Sequence, residues 1–136
     1  MERETESKIY NDLGTAVIKQ IGTIETKILI YIVLVDSNID YSIFYLDRKK
    51  HLLDRNKHRL RSLAGGNDVA LALLQLKAYV ESLPAEHRWT AMEYWLDRGK
   101  VDISLSYDEI DEEVPQWQRS PAIVENYFPG IPVERD

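Results

Sequence analysis

Residues 27–35 read KILIYIVLV, and this run leaves the chain few ways to fold. Side chains alternate between the two faces of a strand, and here both alternating sets are apolar, so a strand at this place has to be covered on each side. The apolar part, Ile28 to Val35, is eight residues long. A membrane-spanning helix needs about 20 residues, so the run reads as a buried central strand. Asp36-Ser37-Asn38-Ile39-Asp40 is turn chemistry, and Tyr41 to Leu46 (YSIFYL) is a second strand, which makes the pair an antiparallel hairpin.

Helices flank this hairpin in the sequence. Ile9, Leu13, Val17 and Ile21 recur at every fourth position with Ala16 beside them, writing an apolar stripe on a helix from about Thr5 to Gln20 that Gly22 is placed to end. Asn67 or Asp68 is the N-cap of a second helix, whose core stripe is Val69, Leu73, Leu76, Val80 and Leu83 and which Pro84 stops. A third helix opens at Ser120-Pro121, with Ile123, Val124, Tyr127 and Phe128 as its apolar side, and closes at Pro129-Gly130.

Between the second and third helices lies the most patterned stretch, Trp89 to Glu113. Arg88 to Leu96 alternates loosely, with Trp89, Ala91, Glu93 and Trp95 on one face and Thr90, Met92, Tyr94 and Leu96 on the other. Asp97-Arg98-Gly99 is a hairpin turn. Lys100 to Tyr107 alternates strictly, so Val101, Ile103, Leu105 and Tyr107 are expected to face a core while Asp102, Ser104 and Ser106 face water. With a short strand around His51 to Leu53 included, the chain of 136 residues is expected to be one α+β domain. Its antiparallel sheet of four to five strands packs with three helices in the order α-β-β-(β)-α-β-β-α.

Composition excludes several classes of function. There is no cysteine, so disulfides and thiolate chemistry are out, and the charged start MERETESKIYNDL has no apolar segment of a secretory signal. The expected location is the cytoplasm. His51, His58 and His87 stand apart from any carboxylates at metal-ligand spacing and read as solvated histidines. No GxSxG or other nucleophile elbow occurs, and Gly65-Gly66 lacks both the dinucleotide fingerprint and the lysine of a P-loop. No enzyme, cofactor or metal is expected.

Two charged segments remain. In residues 47–61, seven Lys or Arg oppose Asp47 and Asp54, a net of +5, which admits a small nucleic-acid-binding regulatory protein using the basic Arg48 to Arg61 segment. The segment has no aromatic residue to stack on bases, and the whole chain carries −6. From Val101 to Gln118 there are six acidic residues, Asp102, Asp108, Glu109, Asp111, Glu112 and Glu113, and no Lys or Arg, with Trp117 at the end. Three readings fit this run: a solvated face, a metal-dependent hydrolase using Asp108 to Glu113, or a steering surface for a basic protein partner with Trp117 as its aromatic centre. Trp117 equally fits a cover for the edge of the core.

The stretch Trp89-Thr90, then Leu96-Asp97-Arg98-Gly99-Lys100, Asp102, Tyr107-Asp108-Glu109-Ile110, Arg119 and Asn126-Tyr127-Phe128-Pro129-Gly130-Ile131 resembles the YezG-like antitoxin and immunity family. That family has a Trp-Thr strand, a Gly-Lys hairpin, a Tyr-Asp pair and a closing Tyr-Leu-Gly helix. Here Phe128-Pro129 stands where the family has Leu before glycine, Val114 to Gln118 diverges, and Arg48 to Arg61 is unusually basic. The resemblance implies a bacterial, cytoplasmic protein that binds and neutralises the C-terminal domain of a cognate secreted toxin, as in LXG-type or contact-dependent growth inhibition systems. A basic nuclease is the partner such an acidic surface suits, with neither nucleic acid nor membrane contacted directly. Asp102, Asp108, Glu109, Asp111, Glu112, Glu113 and Trp117 are the expected partner contacts.

Overall fold

A computed structural model describes residues 2–21, 26–35, 38–46, 50–56, 59–60, 68–110 and 116–135. Among the described residues, three α-helices, α1 (Glu2–Ile21), α2 (Asp68–Glu81) and α3 (Gln116–Tyr127), enclose one sheet. Its strands are β1 (Lys27–Val35), β2 (Asn38–Leu46), β3 (Leu52–Asn56), β4 (Arg59–Leu60), β5 (Ala91–Asp97), β6 (Lys100–Ser106) and β7 (Val133–Arg135). The spatial order is β6-β5-β1-β2-β3-β7, with β4 also paired to β2. The four long strands β6, β5, β1 and β2 are mutually antiparallel, as the patterning requires.

β1 occupies the place its composition demands. It is paired on both sides, by β2 and β5, and both of its faces are covered. Ile28, Ile30 and Ile32 pack with Leu13 and Val17 of α1 and with Leu73 and Leu76 of α2. On the opposite face Leu29 meets Val124 of α3 and Phe128 just beyond its end, while Tyr31 and Val33 pack with Ala91. The molecule is therefore three layers: α1 and α2, the sheet, then α3.

Tyr94 ties α1 to β5. Its hydroxyl donates to the Tyr10 carbonyl at 2.7 Å and is fully buried. Burial pushes the phenol up to about 12, while a hydrogen bond with the Gly14 backbone pulls the other way. A β-carbon on Gly14 would lie 2.5 Å from the Tyr94 oxygen, so glycine here is what allows the helix to approach the ring. Lys19 pairs with Asp68 at 3.2 Å, joining the end of α1 to the first turn of α2. Arg88 closes the other end of α2, donating from Nε to the Leu83 carbonyl and from a terminal nitrogen to the Glu81 carbonyl, both at 2.8 Å.

Several expectations need correction. β2 begins at Asn38, so Asn38, Ile39 and Asp40 pair with Val35, Leu34 and Val33 instead of forming a turn. Ile39 is 1% exposed, which explains why the ladder takes it. α3 starts at Gln116, which places Pro121 inside the helix rather than at its first position. The proline lies in the second turn and removes the N–H that would reach back four residues, a loss offset by the burial of Val124 and Phe128 further on. Trp89 packs in the α1/α2 layer with Met92 and Tyr94, not with Trp95. The short strand near His51 is real and runs over Leu52–Asn56, with Arg55 as an unpaired residue where the register against β2 shifts. β7 was not expected at all; it pairs in parallel with β3. Gly22, Gly65, Gly66 and Asn67 lie outside the described residues.

Candidate partner-binding surface

The turn that carries β5 into β6 is built from two residues, Arg98 and Gly99, with φ of 50° and 89°. Two successive positive φ values match the right-handed twist of the strands, and Asp97 pairs directly with Lys100 across the turn. The register then continues without a break to Ala91 opposite Ser106. β6 is the end strand of the sheet.

This edge position overturns one expectation. Val101, Leu105 and Tyr107 were expected to face a core, yet they are 47%, 36% and 57% exposed, and only Ile103 is half-buried against the α1/α2 layer. The alternation holds, with these residues on the face shared with α1 and α2, but neither helix reaches far enough to cover them. Asp102 and Ser104 are exposed on the opposite face, as expected. Asp102 lies opposite Trp95 and Ser104 opposite Glu93. α3 reaches the same area: Tyr127 donates to Glu93 Oε1 at 2.8 Å, and its ring lies 4.9 Å from that of Trp95. Burial first, then Glu93, pushes the Tyr127 phenol up to about 12, with Ser104 opposing and Asp102 adding to the rise.

Asp108 and Glu109, beyond the end of β6, are exposed, and the backbone that carries them is held by hydrogen bonds. Thr90 Oγ1 shares its one proton between the carbonyls of Ser106 and Asp108, at 3.0 and 2.6 Å, and the Asp108 amide donates to Ser106 Oγ at 3.4 Å. Ile110 is half-buried and packs with Tyr31, Val33 and Ala91, anchoring the acidic run onto the α3 side of the sheet. The alternation placed Thr90 only on a strand face and left Ile110 without a position, so neither was expected to hold the acidic run, although both stand in the stretch that carries the resemblance.

The expected contacts are thus only partly gathered. Asp108 and Glu109 sit together, whereas Asp102 stands six positions away near the start of β6, roughly 20 Å along an extended chain. Asp111, Glu112 and Glu113 lie outside the described residues, and of Trp117 only the backbone, in the first turn of α3, is described. The basic segment forms β3 and β4 along the outer side of β2.

On the α1/α2 side, a cavity of about 320 Å³ opens between these helices and the end of β6. Tyr10, Tyr79, Trp89, Leu105 and Tyr107 supply its aromatic and apolar walls, and Glu6 and His87 its polar ones. Tyr79 donates to Glu6 Oε2 at 3.2 Å. Burial, then the Glu6 carboxylate, raises the Tyr10 phenol above the ordinary tyrosine range. The Glu6 carboxylate thus accepts from Tyr79 and faces the Tyr10 phenol, which is a stabilising arrangement rather than an acid–base pair.

Under α3 a second polar group was not foreseen. Burial raises the Tyr31 phenol, with the Arg119 guanidinium pulling it down and Glu93 pushing it up. Ser42, opposite Tyr31 on β2, is also buried. Among the described residues no three His, Asp or Glu gather as metal ligands, and no helix is long and apolar enough to cross a membrane. No protein-family model matches this chain, and no curated protein matches it.

Proposed function

We propose that this protein is an immunity protein that binds the C-terminal domain of a cognate secreted toxin in the cytoplasm and neutralises it by stoichiometric occlusion. The observation that carries this reading is the mounting of the acidic run. Asp108 and Glu109 are exposed, while the backbone beneath them is clamped by Thr90 and anchored by Ile110. Carboxylates presented from an ordered platform steer a basic partner at long range and lose little conformational entropy on contact. A nuclease domain, whose substrate site is basic, is the partner of matching charge.

The resemblance of Trp89-Thr90, Arg98-Gly99-Lys100 and Tyr107-Asp108 to YezG-like immunity proteins points the same way. Co-expression with the toxin encoded beside it tests the reading: a 1:1 complex and survival of cells making that toxin are expected. No complex and no protection would overturn it. Charge reversal at Asp108 and Glu109 is expected to slow association more than it speeds dissociation, with an effect that shrinks as salt rises.

A further inference from the structure

We infer that β6 is a self-complementary pairing edge, on which a second copy of this chain docks antiparallel to join two sheets into one. β6 ends the sheet, and among the described residues no strand pairs with its outer side. Edge strands are normally blunted by proline, bulges or charged side chains. β6 has no proline and pairs with β5 without a break in register, and its two charges, Lys100 and Asp102, both lie on the face away from its apolar row. Its apolar row on the α1/α2 side, Val101 and Leu105 with Tyr107 beyond, is left partly uncovered.

The backbone dictates which groups are free. Because Asp97 and Lys100 flank a two-residue turn, Lys100, Asp102, Ser104 and Ser106 direct their N–H and C=O groups to β5. Val101, Ile103 and Leu105 direct theirs outward. A two-fold axis through Ile103 then matches Ile103 with its own copy and Val101 with Leu105, using every outward group of the three. The exposed apolar row of one copy meets the same row of the other on one face. On the other face each Asp102 lies opposite a Ser104 hydroxyl, so the carboxylates do not oppose each other.

Charge selects this orientation. The turn before β6 and its first residue carry Arg98 and Lys100, and the chain beyond β6 carries Asp108 and Glu109. Antiparallel pairing about Ile103 brings the basic end of one copy against the acidic end of the other, twice by symmetry; parallel pairing would align like with like. The net charge of −6 per chain opposes approach at long range, and salt screens that term, so the dimer forms best at physiological ionic strength or above. Asp108 serves both this pairing and the proposed toxin surface, so the Val101 and Leu105 variants, which leave that carboxylate in place, separate dimer formation from complex formation and cell protection.

Sedimentation of the full chain across a concentration series is expected to show a monomer–dimer equilibrium. Amide hydrogen exchange is expected to slow with concentration at Val101, Ile103 and Leu105, while Asp102 and Ser104 stay protected at every concentration. Arg98→Asp or Asp108→Arg alone is expected to weaken the dimer by roughly two- to thirtyfold, and the double swap to restore it. Val101→Lys with Leu105→Lys, both at exposed positions, should abolish it. A wild-type chain monomeric at every concentration overturns the proposal, as does a dimer without concentration-dependent protection of those three amides. Protection that arises only when a different protein is added also overturns it.

Discussion

β1 and β6 carry similar apolar residues and meet opposite fates. In β1, from Ile28 to Val33, every side chain is buried, because two strands flank it and helices cover both faces. In β6, no residue is buried, although Val101, Ile103 and Leu105 alternate as regularly as any core strand. The difference is one of place. A strand at the end of a sheet has one neighbour, and α1 and α2, centred over β1, β2 and β5, leave its apolar row at the margin. An apolar row in such a place is available to a partner, whereas one in β1 is spent on the fold.

The sharpest way to break this contrast is to truncate the same kind of residue in each strand. Ile30→Ala, at a site with no exposure and packed beneath both helices, is expected to cost about 2–5 kcal/mol in chemical unfolding. Next in size is Gly14→Ala. The added methyl meets the Tyr94 oxygen that ties α1 to β5, at an expected cost of about 1–3 kcal/mol. Tyr94→Phe in the same background removes that atom, so the two changes are expected to be less than additive in a double-mutant cycle.

Tyr127→Phe, which loses the bond to Glu93 where α3 rests on the β5–β6 hairpin, is expected to cost about 0.5–1.5 kcal/mol. It also has a pH signature. Tyr94 and Tyr127 have phenols pushed up to about 12 from 10.0, so the unfolded chain releases their protons first. Their contribution to stability is complete below pH 10 and is lost as pH rises towards 12. The alkaline loss measured in that window should shrink in Tyr127→Phe. The smallest effect is expected at β6: Val101→Ala should change the stability of the monomer by no more than about 0.5 kcal/mol, and a larger loss would show that the row is already part of the core.

Much of the fold was legible because its signals are local. The limits read for β1 coincide with its observed ends, the Arg98-Gly99 turn falls where its glycine places it, and Val69, Leu73, Leu76 and Val80 of the stripe read for α2 are buried, while Leu83 lies beyond the helix end at Glu81. The misreadings have a common cause. Pro121 announced a helix start, but α3 begins at Gln116, and a proline that early in a helix forfeits only one backbone hydrogen bond. β7 is three residues long and pairs in parallel with a strand far away in sequence, so nothing near it in the chain marks it. The candidate surface was half legible: charge marked Asp108 and Glu109, while the Thr90 clamp and the Ile110 anchor depend on residues brought together from separate strands.

By itself the sequence determined that a doubly apolar strand would lie at the centre of an α+β sandwich, that a tight hairpin would precede an acidic run, and that thiol chemistry was impossible. These are properties of periodicity, turn geometry and residue type, which do not depend on what lies across the fold. Only the tertiary structure decided that β6 is an edge and that its alternating apolar residues face solvent. Alternation records two different faces of a strand, but whether either is covered depends on how far the helices packed against the sheet extend.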